Sequence, residues 1–104
     1  MPKYLFVYHG GSKPTSAEAG KQAMEAWGKW FASMGGDVVD GGNPVGVSTT
    51  VNRDGSVAGN GGANPATGYS VVQAKDVNDA IAKAKGCPIL ASGGSVELAE
   101  TFAP

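Results

Sequence analysis

A chain of 104 residues fits one compact domain with a small core that would gain from a partner subunit. Eight basic against nine acidic residues leave a formal charge of −1, with Arg53 the only arginine, so no basic stripe follows a phosphate backbone and nucleic acid is excluded as a partner. The single Cys87 excludes an intramolecular disulfide, fits a reducing compartment, and has no second ligand at metal-site spacing.

The opening MPKYLFVYHGG meets glycine and charge too soon for a signal peptide or a membrane span, which predicts a soluble, cytoplasmic protein. Within it Lys3 to His9 reads as a strand. Every residue from Tyr4 to Tyr8 is apolar or aromatic, the pattern of a mid-sheet strand covered on both faces. In GGSKPTSAE, Thr15 and Glu18 have the spacing of a capping box, so a helix is expected from Ser16 to Met34. Ala19, Ala23, Met24, Trp27, Phe31 and Met34 form its apolar stripe, with Trp30 at the edge and Gly35-Gly36 as the C-terminal cap.

DVVDGG reads as a short strand, and Asp54-Gly55 marks a turn within a hairpin from about Val45 to Ala58. GNGGANPAT is loop, and GYSVVQA is the third main strand. Asp76 caps a second helix with Val77, Ala80, Ile81 and Ala84 on one face and Gly86 at its end; CPIL makes a helical turn. SVELAETF closes the chain as a strand in which Val96, Leu98 and Phe102 alternate with Ser95, Glu97 and Ala99. The order predicts an α+β fold, a ferredoxin-like βαββαβ sandwich with two helices on one face of an antiparallel sheet. The bare face of that sheet needs cover, and a second copy related by a two-fold axis supplies it, so a homodimer is expected.

His9, the only histidine, ends the first strand beside the start of the last one, within reach of Ser95 or Glu97. A histidine beside a carboxylate can serve as general base near neutral pH; the plainer alternative is a strand-ending histidine bonded to backbone. Asp40 is either a pocket carboxylate or the acceptor of a turn before glycine. Glu97 points away from Val96 and Leu98, into a cavity or out to solvent. Trp27 and Trp30 are core residues or a ligand wall, and Tyr69 and Tyr8 core residues or donors to a bound carbonyl. One histidine makes a metal site improbable, and neither GGSV nor Gly10-Gly11 has the spacing of a phosphate loop, so no cofactor is expected.

MPKYLFVYHGG, MEAWGKWFASMGGDVVDGG, NPATGYSVVQAKDVNDAIAKAKGCP and GGSVELAET together resemble the YCII-related domain family and its DGPF branch, bacterial proteins of the dimeric α+β barrel type. The resemblance spans nearly the whole chain and implies a cytoplasmic homodimer with a cleft between sheet and helix. The histidine that members carry on the first helix corresponds to Trp27, and GGANPA stands where the branch has its DGPF motif. Two functions follow as expectations. One is a small-molecule pocket near His9, Trp27, Tyr69, Ser95 and Glu97, with cofactor-free lyase, isomerase or oxygenase-like chemistry by analogy of fold. The other is a non-catalytic interaction or regulatory module, associated with transcription.

Overall fold

A computed structural model describes the whole chain, Met1–Pro104. In order it contains β1 (Lys3–His9), α1 (Ala17–Met34), a 3-10 turn (Gly35–Asp37), β2 (Val38–Asp40), β3 (Thr49–Val51), β4 (Val57–Gly59), β5 (Ala66–Gln73), α2 (Val77–Ala84), a second 3-10 turn (Pro88–Leu90) and β6 (Ser95–Glu100). The protein is α+β. Its main sheet has four strands in the order β2-β5-β1-β6, all antiparallel and open at both edges, while β3 and β4 form a separate two-stranded ribbon. No helix is long and apolar enough to cross a membrane.

β1 lies inside the sheet, as its apolar run predicts, with Phe6 opposite Ser70 on one side and Leu98 on the other. Alternation sends Tyr4, Phe6 and Tyr8 into the core, joined there by Trp30 and Met34 of α1, Val72 and Ala74, Ala80 and Ala84 of α2, Cys87 and Ile89. Leu5 and Val7, on the other face, stay half-buried. The expectation that β1 is covered on both faces therefore holds for one face within the single chain.

Several boundaries differ from the sequence reading. The cap of α1 is Ser16 and not Thr15: Ser16 has extended backbone, and its hydroxyl accepts from the Ala19 amide at 3.0 Å, so the Thr15/Glu18 box does not form. Asp76 does cap α2, accepting from the Asp79 amide at 2.8 Å. The ribbon is shorter than Val45–Ala58 suggests, because Val45 and Pro44 instead bond to Thr67 and Gly68 beside the main sheet. β5 starts two residues early, at Ala66, through a bulge opposite Tyr8 and His9. β6 stops at Glu100, leaving Phe102 80 % exposed beyond the alternation assigned to it.

Trp30 is the indole that belongs to the core, and not an edge residue: it is 6 % exposed, and its Nε1–H donates to the Lys83 carbonyl at 2.9 Å, tying α1 to α2. Lys83 in turn bonds Asp79 at 2.9 Å and approaches Asp37 at 3.5 Å. That contact with Asp79 pushes the ammonium up, and the Lys75 amide, followed by Lys83, holds the Asp79 carboxyl down.

Candidate functional site

The two halves of α1 differ in bulk, and the difference makes a cleft. Its second half carries Trp27, Trp30, Phe31 and Met34, which reach the sheet. Its first half offers Ala17, Gly20 and Ala23 at the same helical spacing, and none of these can span an interhelical or helix–sheet gap of about 10 Å. The unfilled space is an open cleft of about 940 Å³ between α1 and the end of the sheet, near the top of the range for small-molecule sites.

Its walls are mostly apolar. Tyr8 lies against Trp27 edge to face, ring centroids 4.9 Å apart, and Trp27 leans on Phe31 at 6.0 Å. Met24, 78 % exposed, overhangs the mouth. The opposite wall is the turn Gly41–Pro44 with Thr67, Gly68 and Tyr69. Two glycines let that wall close on the sheet. Gly42 has φ +71°, and a Cβ there would fall on the Tyr69 carbonyl oxygen. At Gly68 a Cβ would meet the Asn43 carbonyl oxygen at 3.2 Å and the Tyr8 ring at 3.3 Å.

A buried hydrogen-bond chain fixes what Tyr8 offers this cleft. The Gly41 carbonyl only accepts, so the single proton of Ser70 Oγ goes to it at 2.7 Å. Tyr8 must then donate its own proton to Ser70 Oγ, also at 2.7 Å. The phenol is thereby committed, and the expectation that Tyr8 donates to a bound carbonyl is corrected: toward a ligand it can only accept. Burial pushes its pKa up to about 12, against a smaller lowering by Ser70, so it stays protonated at neutral pH. Tyr69 is wired the other way. Its hydroxyl accepts a long 3.4 Å contact from Asn43 Nδ2, and its proton is not used within the chain.

The other candidates lie elsewhere. His9 and Glu97 do meet, Nε2 to Oε1 at 2.9 Å, because both sit on the sheet face opposite Tyr8. His9 is 9 % exposed, and its Nδ1 lies 3.0 Å from the Asn64 carbonyl. A carbonyl accepts only, so Nδ1–H donates to Asn64, and Nε2 is taken up by Glu97. Neither ring nitrogen is left free to take a proton from a third molecule. Glu97 is 70 % exposed in its side chain, Ser95 is exposed and level with His9, and none of the three lines the cleft.

Asp40 takes the turn role: its Oδ1 accepts from the Gly42 amide at 2.8 Å. It pairs with Val71, which pairs with Leu5, so it lies two strands away from β1 and about 13 Å short of His9 along the strand direction. The structure thus divides the expected site. Trp27 and Tyr69 line the cleft, His9, Glu97 and Ser95 share the far face, and Asp40 holds a turn. Reasoning from residue type missed Lys21, Met24, Gly20 and Phe31. Their signal was the run of small residues at core-facing helix positions, which marks missing volume.

No family model, curated protein or solved structure matches the chain.

Proposed function

We propose that the protein is a small-molecule-binding domain whose ligand sits in the cleft beneath the first half of α1. The single observation that carries this reading is the 940 Å³ cleft walled by Tyr8, Trp27 and Phe31 and capped by the exposed Met24. The strand order β2-β5-β1-β6 with two crossing helices supports assigning it a ferredoxin-like topology, and the YCII-related resemblance extends that to a bacterial, cytoplasmic dimer of the α+β barrel type. In that assembly the half-buried face of Leu5, Val7 and Val71, with His9 and Glu97 at its end, meets the same face of a second copy. His9 and Glu97 then serve the interface and the anchoring of the Asn64 loop, and lyase, isomerase or oxygenase chemistry would have to come from groups in the cleft.

Cleft binding is tested with a neutral apolar dye, N-phenyl-1-naphthylamine, read through its own emission and through quenching of Trp27. Saturable binding in wild type, lost in Gly20→Leu and kept in His9→Ala, is the expected result. A Cβ at Gly20 would meet only Pro14 at 3.8 Å, so leucine there enters the cleft without a backbone clash, and it favours the helix by roughly 0.8 kcal/mol. Binding that survives Gly20→Leu unchanged, or that disappears with His9, would move the site away from the cleft. For the dimer, sedimentation equilibrium showing only a 10.4 kDa species at micromolar concentration defeats the proposal.

A second reading, an interaction module, draws on the ribbon. All residues of β3 and β4 are exposed, with Val51 and Val57 paired across it at 70 % and 67 %, and an isolated two-stranded ribbon is marginal in water.

A further inference from the structure

The geometry points to a ligand class: an amphipathic monoanion, with an apolar body along Trp27 and Phe31 and its anionic head at Lys21. The inference rests on the cleft being a binding site. Lys21 is the only cationic side chain lining the cleft, and no carboxylate lines it. It forms no ion pair within the chain, although Glu18 and Glu25 lie one helical turn to either side; the chain's pairs are His9–Glu97, Lys83–Asp37 and Lys83–Asp79. Lys21 is exposed and lines the cleft, and a lysine in such a place can lay its stem on apolar surface while its ammonium meets a group that is apolar along its length and charged at one end.

The charge count limits the head group. One lysine and no arginine cannot hold a nucleotide or a diphosphate, whose recognition uses several donors or a bidentate fork. A cation is disfavoured, since no acid lines the walls to receive it. Among the remaining polar groups at the cleft, Tyr69 has a proton to give to such a head and Asn43 lies beside it, whereas the Tyr8 oxygen, which can only accept, makes no bond to an anion. Lys21 and Phe31 are ten residues apart on α1, about 15 Å along the axis, which is the reach of a medium-chain carboxylate or a two-ring aromatic acid.

The test compares decanoate with decanol below their aggregation limits, by displacement of the neutral naphthylamine dye. Wild type is expected to bind decanoate about fivefold more tightly than decanol, a preference that shrinks as salt screens the pair. Lys21→Met keeps the stem and removes the charge, so it should bring the two ligands within about twofold of each other while leaving decanol unchanged. Equal binding by wild type, or a preference that survives Lys21→Met, overturns the anion assignment and leaves the cleft reading standing. If the dye binds nowhere in the cleft and neither ligand binds, the cleft reading itself falls, and the anion assignment with it.

Discussion

Removing the Ser70 hydroxyl should cost more than removing the Tyr8 hydroxyl, and adding the second change to the first should restore stability. Ser70 is fully buried, and its Oγ accepts from Tyr8 and donates to Gly41. Ser70→Ala therefore strands the Tyr8 proton in a site where the residue is 5 % exposed. An orphaned buried donor costs about 1–3 kcal/mol, a figure that already contains the lost bond. The Gly41 carbonyl adds little, since that residue is exposed and water can reach it. Tyr8→Phe leaves Ser70 still donating to Gly41 and removes only an accepted bond, about 1 kcal/mol. In the double variant no proton is stranded, so Tyr8→Phe on the Ser70→Ala background should return about 1 kcal/mol and not subtract another. Urea unfolding followed by tryptophan emission and far-UV circular dichroism, at one fixed protein concentration, measures all four corners. The larger single change corresponds to a drop in melting temperature of roughly 5–15 °C for a chain of this size. Additive losses, with Tyr8→Phe costing the same on both backgrounds, would refute the donor order on which the acceptor role of Tyr8 in the cleft depends.

Gly42→Ala should destabilise by more than about 3 kcal/mol, because it combines a positive-φ penalty with a collision against the Tyr69 carbonyl. Gly93→Ala, at φ +86° with nothing near its Cβ, should show the backbone penalty alone, about 1–2 kcal/mol; equal losses in urea midpoint would contradict the clash. Burial pushes the Tyr8 phenol up to about 12 and the Cys87 thiol up to about 11, so the folded chain keeps protons that the unfolded chain releases first. That contribution is complete below about pH 9 and is lost as the pH rises toward about 12, so urea midpoints should fall across this window and fall less in Tyr8→Phe; a flat profile is the opposing result. Gly28 sits mid-helix with open space where its Cβ would be, and Gly28→Ala should raise stability by roughly 0.5–1 kcal/mol in the same assay.

The fold was legible where local chemistry and burial agree. The apolar run Tyr4–Tyr8 placed β1 inside the sheet, Asp76 capped α2, and the alternation of Val96 and Leu98 against Glu97 put that carboxylate on the face away from the helices. Errors came where two residues of equal chemistry compete. Thr15 and Ser16 both cap well, and Ser16 wins because its extended backbone brings its Oγ to the Ala19 amide. Val45 and Val47 have strand propensity, yet the backbone of Val45 bonds Thr67 and the ribbon begins only at Thr49, a choice made by tertiary pairing that no local pattern encodes.

The candidate site was legible only in part, for a reason that concerns what a sequence can express. His9 draws attention because chemistry is read from residue types, and a lone histidine diagonal to a glutamate on the next strand is the most reactive pair the alphabet offers here. Register does bring the two together, but it also supplies the Asn64 carbonyl, an acceptor contributed by backbone and invisible as a letter, and this closes the second ring nitrogen. A cleft is instead written as absence of volume. Ala17, Gly20 and Ala23 line the cleft on the same helix that carries Trp27, Phe31 and Met34 further on, and the step from small to bulky side chains along that helix is the sequence's record of a gap. Read that way, the helix that packs the core with its second half leaves it unpacked at its first, and Lys21, the one charged residue lining that end, is where the proposed anion binding is put to the test.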